Sequence, residues 1–437
     1  MELSEKILNA GVVGAGGAGF PAHIKANSNV EFFIANGAEC EPLMHKDFEL
    51  MVNFAPRITR GMELMLESVN AKRGYFGIKR KNIEAAEQIE RSLDNSLIEM
   101  KYLGDFYPAG DEYELVYETT GRLIPPHGIP LDVGCVVNNV ETLFNIAKAN
   151  EGIPVTQKML SVNGAVHSPS SFIVPIGITF KEAIALAGGT TVKDYGIFVS
   201  GVMMGRLTFD DSEVVTKTTG GLIILPRDHY LIKRVDRSTQ EMNRIGKSAC
   251  DQCSYCTEFC PRYLLGYDVQ PHKVMRSLEF TKSGKDLWNE FADLCCACGI
   301  CTLYACPEDL FPREACLQSK AQLKTQGIKH EQIKELKLHP FKEARRVPLK
   351  QLMKKLRLLE YDKPTPFKEI SKEFNNVKIL LNQHVGAPAL PIVSIGQTIA
   401  QGDLIADIQQ GKLGAKIHAS ISGKITEVNE SFIRIQK

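Results

Sequence analysis

No run in this 437-residue chain approaches the roughly 20 uninterrupted apolar residues that a bilayer-spanning helix needs. The opening MELSEKILNAG lacks both a basic n-region and a long apolar h-region, so neither a membrane anchor nor a secretory leader is expected. An excess of one charge is missing too. Lys plus Arg number 52 against 51 for Asp plus Glu, which removes the global electrostatic argument for a nucleic-acid partner. Tandem repeats and low-complexity tracts are also absent. What remains is 44% hydrophobic and 24% charged residues, the balance of an ordered chain with room for roughly three domains.

Twelve cysteines stand against that background, ten of them between Cys250 and Cys316. A chain read as cytoplasmic keeps its thiols reduced, and one this long folds without staples, so clustering points to metal rather than disulfides. The first run is Cys250, Cys253, Cys256 and Cys260 followed by Pro261. The second is Cys295, Cys298, Cys301 and Cys306 followed by Pro307, with one extra residue before its last cysteine. Two-residue gaps let the backbone wrap three thiolates around three corners of a cubane, and in two-cluster ferredoxins the fourth ligand is exchanged between motifs. The spacing therefore assigns Cys250, Cys253, Cys256 and Cys306 to one [4Fe-4S] cluster, and Cys295, Cys298, Cys301 and Cys260 to the other. CxxC pairs also build zinc sites, but these do not require three cysteines at two-residue gaps with a trailing Cys-Pro, twice over. Cys296 breaks the spacing and reads as a bystander that could replace Cys295 in a shifted register. Cys40, Cys135 and Cys316 read as ordinary thiols.

The pattern of apolar runs and turn residues predicts several units. Residues 1–150 read as an α/β layer: a helix Leu3 to Asn9, a strand Val30 to Ala35, a helix Pro56 to Asn70, a strand Tyr75 to Ile78 and a helix over 80–95. Tyr102 is expected to begin a further extended piece, and Val133 to Asn138 to form another. Residues 151–228 carry short β-branched runs around one helix, Thr179 to Ala187, the texture of a β-grasp module. Residues 240–320 hold the cysteines on short helices. Residues 321–373 form a basic helical linker, with twelve Lys or Arg against three Glu between Lys320 and Arg357. That face is either solvated or a docking surface for an acidic partner or anionic cofactor. Residues 374–437 read as an all-β, barrel-like module with strands Val377 to Leu381, Ile417 to Ile421 and Lys424 to Val428.

In the first unit the run Gly14, Gly16, Gly17, Gly19 precedes Phe20-Pro21 and Lys25. A glycine turn lets backbone amides approach a phosphate, and a nearby Lys adds charge, although the spacing is neither a Rossmann fingerprint nor a P-loop. NGAECEP (36–42), YPAGDE (107–112) and VVNNVETL (136–143) follow apolar runs. Strand ends in an α/β layer are where ligands sit, and Asn amides there can hold ring carbonyls and ring nitrogens.

Together GAGGAGFP, NGAECEP and VNNVETL resemble the flavin-binding fold of the NADH-oxidising subunit of respiratory complex I. That resemblance implies FMN phosphate and ribityl contacts at Gly14, Gly16 and Lys25, and flavin contacts at Asn36, Glu39, Asn138, Asn139 and Thr142. It implies that Glu41, Gly110, Asp111 and Glu112 lie near the flavin or the nicotinamide nucleotide. Ala38 departs from an acidic flavin contact of that family, and Ser28 from an aromatic that helps stack the NADH adenine. Over nearly the whole chain, the order of glycine-loop domain, β-grasp module of the soluble-ligand-binding (SLBB) type, dicluster domain and a barrel carrying QHVGAPALP and HASISGKI resembles two families. These are the peripheral RnfC-type component of the ion-pumping Rnf ferredoxin:NAD oxidoreductases and the cobalamin reductases of propanediol-utilising microcompartments. In the Rnf component the barrel precedes the glycine loop, whereas here it follows the clusters, which favours the second family. The barrel is similar to a biotinyl/lipoyl hybrid, without a modified-lysine motif.

The implied fold is multidomain α/β and α+β: an FMN-binding α/β domain, an SLBB β-grasp module, a helical dicluster ferredoxin domain and a barrel-sandwich hybrid. The implied activity is electron transfer from NADH through FMN and two [4Fe-4S] clusters to cobalamin, with hydride transfer carried by FMN rather than by a side chain. A corrinoid adenosyltransferase and microcompartment shell proteins are the implied partners, and a homo-oligomer is left open. No corrin ligand can be named, since no DxHxxG string is present. Met203 and Met204 read as packing residues. Two alternatives stand beside this reading: an Rnf-like electron-transfer component acting between ferredoxin and NAD at a membrane complex, and a non-catalytic electron carrier or scaffold.

Overall fold

The structure, a computed structural model, describes residues 1–278 and 289–437; positions 279–288 of the cysteine-bearing segment lie outside the described residues. Near the N-terminus, four parallel strands form a sheet in the order β3-β2-β1-β5, with β1 at Phe32–Gly37, β2 at Arg73–Lys79, β3 at Ile98–Leu103 and β5 at Cys135–Asn139. A two-residue strand, β4, lies apart at Phe106–Tyr107. Six of the seven residues of β2 are buried, which is what a parallel strand covered on both faces requires. Helices α1 (Leu3–Asn9), α2 (Ala22–Ala26), α3 (Lys46–Ser68), α4 (Ile83–Ser92), α5 (Glu112–Thr120) and α6 (Val140–Asn150) surround the sheet. Helix α3 packs against α6 so closely that a Cβ on Gly61 would lie 2.0 Å from the Leu143 carbonyl oxygen.

Two boundaries differ from the sequence expectation. Helix α3 starts at Lys46, well before Pro56, because burial of Leu50, Met51 and Ala55 holds the added residues against the core. Pro56 is inside the helix and marks a break, with Phe54 at non-helical φ −134°, since proline disfavours the helical conformation upstream of it. Tyr102 lies near the end of β3 rather than at the start of an extended piece.

The second sheet is mixed, in the order β7-β6-β10-β8-β9, built from β6 (Gln157–Gly164), β7 (Ser170–Pro175), β8 (Tyr195–Val199), β9 (Arg206–Thr208) and β10 (Gly221–Pro226). Its helix α7 (Phe180–Leu186) starts on a capping box in which Glu182 N–H donates to the Thr179 hydroxyl at 3.1 Å and Thr179 N–H to the Glu182 carboxylate at 2.8 Å. The core of this module does not close on itself. Leu160, Val174 and Ile197 share one apolar cluster with Val377, Ile379, Ile433 and Ile435 of the C-terminal module, and Lys378 N–H donates to the Gly177 carbonyl at 2.9 Å.

Short helices punctuate the cysteine segment, Tyr255–Glu258, Pro261–Leu264, Pro271–Ser277 and the π-helical turn Cys301–Ala305, but of the cluster cysteines only Cys256 and Cys301 lie inside them. Cys250, Cys260 and Cys306 are at helix ends, and Cys253, Cys295 and Cys298 are in the turns between. The basic segment divides: Lys324, Lys329, Lys334, Lys337, Lys350, Lys354 and Arg357 are exposed, as a solvated face requires, while the other cations turn inward. Lys342 pairs with Glu114 at 3.1 Å and Glu118 at 2.8 Å, Arg346 with Glu118, and Arg345 with Glu258 at 2.7 Å. Lys320 and Lys355 donate to the carbonyls of Cys295 and Tyr304 at 2.7 and 2.8 Å. These five cations form a strap between the α/β unit and the cysteine segment, because carboxylates and open carbonyls await them there. The strap holds little helix: β11 (Val347–Pro348) pairs antiparallel with β4, and Leu349–Lys355 buries Leu349, Leu352 and Met353.

The last module has two antiparallel sheets, one of four strands and one of three. The strand expected over Ile417 to Ile421 is only two residues long, Ile417–His418. Among the described residues no helix is long and apolar enough to cross a membrane.

Candidate functional site

The glycine run folds into a closed turn in which Gly14 N–H donates to the Phe20 carbonyl at 2.8 Å and Gly19 N–H to the Gly14 carbonyl at 3.2 Å. Gly17 and Gly19 have φ of +115° and +69°, which a side chain rarely tolerates. Residues 16–18 form the exposed crown of the turn. Its underside is tied to the start of α6: Ala15 N–H donates to the Thr142 hydroxyl at 3.0 Å, and a Cβ on Gly16 would stand 3.3 Å from Asn139 Cβ.

Strands β1 and β5 pair with Ala35 opposite Asn138 and Asn36 opposite Asn139, so both Asn-bearing strings end at one edge of the sheet. Asn36 donates to the Gly110 carbonyl at 2.9 Å and accepts from Ala38 N–H at 3.1 Å. Asn139 caps α6 by accepting from Glu141 N–H at 3.0 Å and donates to Asp47 at 2.7 Å. Lys25 reaches the same edge, donating to the Val137 carbonyl at 2.8 Å with Glu112 at 3.4 Å. Asn138 is buried, and its side-chain nitrogen has no partner among the described residues. A buried amide donor left open beside an exposed glycine crown and a lysine is a donor set that fits a flavin with a phosphate tail, the FMN of the resemblance.

Not every residue named from the sequence joins this group. The Glu41 carboxylate accepts from the Met203 and Met204 amides at 3.0 and 2.8 Å, so it is held against the β-grasp turn. Burial pushes its pKa up to about 7. Glu39 accepts from Asp47 N–H at 3.2 Å, and burial together with the Asp47 charge raises it to about 8. Asp111 caps α5 through Tyr113 N–H at 3.1 Å and pairs with both guanidinium nitrogens of Arg262 at 2.6 and 3.0 Å. Arg262 follows Cys260-Pro261 directly, so this pair joins the YPAGDE string to a cysteine motif.

Beneath the site lies an ion network that no sequence pattern marks. Lys46 lies between Asp47 and Glu141, the latter at 3.1 Å, and Lys158 pairs with Glu141 from β6. All four side chains are buried. Burial opposes the Glu141 charge, yet Lys158 and Lys46 hold its carboxyl below the usual range, while burial lowers Lys158 to about 8. Glu141 lies inside VVNNVETL, a string notable for its asparagines, and nothing in the periodicity distinguishes a buried Lys from a solvated one.

Cys250, Cys253, Cys256 and Cys306 line one pocket together with His272 and Met275. The thiols surround that space rather than meeting at a point: among the described residues no three Cys, His, Asp or Glu side chains gather tightly enough for a single ion. Cys260, Cys295, Cys298 and Cys301 are close enough to interact electrostatically, and so are Cys296 with Cys260 and Cys256 with Cys301. The two motifs repeat their backbone. Gln252 and Ala297 share φ of +61°, Ser254 and Gly299 have +67° and +84°, and Cys260 and Cys306 have φ/ψ of −69°/120° and −70°/120°. Cys250 accepts from the Gln252 amide as Cys295 accepts from Ala297 N–H, at 3.4 Å. Cys295 is therefore the backbone counterpart of Cys250. Cys296 instead contacts Cys298, and the Cys295 thiol also touches Cys316.

Comparison with known proteins follows these units. Family models match for the Nuo51 FMN-binding domain over residues 7–148, the SLBB domain over 159–207, the 4Fe-4S dicluster domain over 249–311 and the RnfC barrel sandwich hybrid domain over 360–437. Cobalamin reductase PduS of Salmonella typhimurium is 39% identical over 99% of this chain and 96% of its own length, and that of Citrobacter freundii 38% over the same shares. The RnfC-type component of the proton-translocating ferredoxin:NAD(+) oxidoreductase complex of Clostridium ljungdahlii is 33% identical over 60% of this chain and 57% of its own. An NAD+-reducing [NiFe]-hydrogenase superposes with a TM-score of 0.50 at 20% identity, covering 73% of this chain and 62% of that one, a likeness of fold alone. An FMN-binding domain and an iron-sulfur dicluster domain in one polypeptide make a flavin and iron-sulfur electron-transfer oxidoreductase. With 39% identity maintained over almost its full length, the chain belongs to the cobalamin reductase PduS family.

Proposed function

We propose that this chain takes electrons from NADH and passes them through FMN and two [4Fe-4S] clusters to cob(III)alamin or cob(II)alamin, recycling coenzyme B12 inside a bacterial microcompartment. When bound, FMN supplies the exchange between a two-electron hydride and single electrons, and the paired clusters supply a one-electron relay. Gly14, Gly16, Gly17 and Gly19 with Lys25 would receive the phosphate end, while Asn36, Asn138, Asn139 and Thr142 hold the ribityl chain and ring. Glu39, Gly110 and Glu112 would border the ring and the nicotinamide, with Asp111 and Glu41 fixing the surrounding backbone. Cys250, Cys253, Cys256 and Cys306 would hold one cluster, and Cys260, Cys295, Cys298 and Cys301 the other.

The observation that carries this reading is the bidentate pair between buried Arg262 and partly buried Asp111, which ties the edge of the flavin-type domain to the residue after Cys260-Pro261. Such a tether keeps the two redox units at a constant separation. Partners of the kind the family name suggests, a corrinoid adenosyltransferase and shell proteins, belong to the same proposal. The test is anaerobic mixing of reconstituted protein with NADH and cob(III)alamin, repeated with ferredoxin as acceptor. Bleaching of the visible flavin band followed by corrin reduction is expected. Clusters without flavin and without NADH oxidation would exclude the enzyme, and turnover with ferredoxin alone would favour an Rnf-like role.

A further inference from the structure

Behind the glycine loop three modules meet at one side chain. Lys217 belongs to the TKTTGG stretch of the β-grasp module and is only 2% exposed. Its ammonium donates to the Gly11 carbonyl at 2.7 Å, on the entry to the loop, and to the Lys416 carbonyl at 2.7 Å, in the C-terminal barrel. No carboxylate pairs with it among the described residues, an arrangement that is costly for a buried charge. Burial lowers its pKa to about 7.

The surrounding contacts hold both ends of the loop. Lys217 N–H donates to the Gln383 side chain at 2.9 Å, and Val385 N–H donates to the Gly19 carbonyl at 3.0 Å. Lys416 also reaches Asn9 at 3.0 Å. There is no room for adjustment: a Cβ on Gly11 would lie 2.2 Å from the Lys416 carbonyl oxygen, and one on Gly19 would lie 2.9 Å from Thr218. Burial and then the Lys217 charge hold His418 down to about 4, and burial holds His384 below the ordinary histidine value, so neither ring adds a second positive charge beside the ammonium. The crown at 16–18, by contrast, faces solvent.

We infer that Lys217 is a positioning residue for the phosphate-receiving glycine loop: by bridging the Gly11 and Lys416 carbonyls it makes the β-grasp and barrel modules part of the FMN site. This rests on the reading that FMN phosphate sits at the loop. An ammonium can satisfy two carbonyls on different modules at once, which an apolar side chain cannot. Without it the Gly11 end of the loop loses its bond to the other two modules while the Gly19 end keeps the Val385 bond, so the entry to the loop loosens relative to Lys25 and Thr142.

The test compares FMN with riboflavin, which lacks the phosphate, by fluorescence titration of the full chain with its clusters in place. Wild type is expected to prefer FMN. Lys217→Met is expected to cut that preference by roughly tenfold, the equivalent of one lost hydrogen bond, with riboflavin affinity and iron content unchanged. Hydrogen exchange at the Gly14 and Gly19 amides of flavin-free protein should accelerate in the same variant. Should Lys217→Met not fold, Lys217→Gln, which keeps a donor on a shorter reach, must move both readouts in the same direction. A folded variant that keeps the full preference and the exchange protection overturns the inference alone. A wild type that binds both flavins equally overturns the phosphate reading beneath it, and the inference with it.

Discussion

The Tyr107 hydroxyl donates a 2.7 Å hydrogen bond to the backbone carbonyl of Cys298, across 191 residues of sequence. Tyr107 is 1% exposed and pairs on its backbone side with Val347 of the basic strap. The tyrosine thus touches the YPAGDE string, a cysteine motif and the strap at once. With Asp111–Arg262 it forms a second tether between the flavin-type domain and the cysteine segment, and both tethers reach the cysteine group that includes Cys260 and Cys298.

Tyr107→Phe leaves the Cys298 carbonyl buried without this donor. A loss of roughly 1–3 kcal/mol in unfolding free energy is expected, measurable by denaturant titration of the anaerobic holoprotein. Iron content should be unchanged, and a variant as stable as wild type would show that the bond contributes nothing.

Arg262→Met leaves the partly buried Asp111 carboxylate without its cation, although the Tyr113 and Glu114 amides still donate to it. The expected cost is roughly 1–3 kcal/mol. Asp111→Asn combined with Arg262→Met should recover part of it, because the uncompensated charge is gone. Additive losses in that double-mutant cycle would mean the two residues do not interact.

The repeated backbone of the two cysteine motifs separates Cys295 from Cys296. Cys296→Ser should retain about eight irons per chain, whereas Cys295→Ser should lose one cluster, about four irons. Iron analysis with electron paramagnetic resonance of the reduced protein reads the difference. The reverse result would move the ligand to Cys296.

Glu41 makes stability depend on pH in a defined window. Burial raises its pKa from 4.5 to about 7, so the folded chain holds a proton that the unfolded chain releases between those values. Its contribution is fully present below about 4.5 and is lost as pH rises through about 7. Glu41→Gln keeps an oxygen for only one of the Met203 and Met204 amides, at a cost that does not vary with pH, and it does not titrate, so the slope of stability against pH should change by about one proton in that window. Parallel wild-type and variant slopes from denaturant melts at several pH values would exclude the assignment.

Much of the fold is legible in the sequence. Helix Leu3–Asn9 and the strands near Tyr75 and Cys135 stand where apolar runs and turn residues put them, because local periodicity reports which face is buried. Pro56 misleads the reading of α3, since a proline marks a helix start and an internal break equally well, and only burial of Leu50 and Met51 decides between them. The basic strap misleads in another way. Counting charges says nothing about where Glu114, Glu118 and Glu258 lie in space.

What the chain determined by itself was its chemistry: cysteine spacing, a glycine turn that excludes side chains, and strings of Asn at strand ends are local features whose geometry is written within a few residues. The tertiary structure alone decided how those parts are joined. The bridging of Gly11 to Lys416 by Lys217, the seating of Arg262 on Asp111 and the placement of Cys306 beside Cys250 each depend on residues at least 56 and up to 405 positions apart being packed together. Such contacts depend on distant segments packing into shared apolar clusters, and no periodicity within any one segment encodes them.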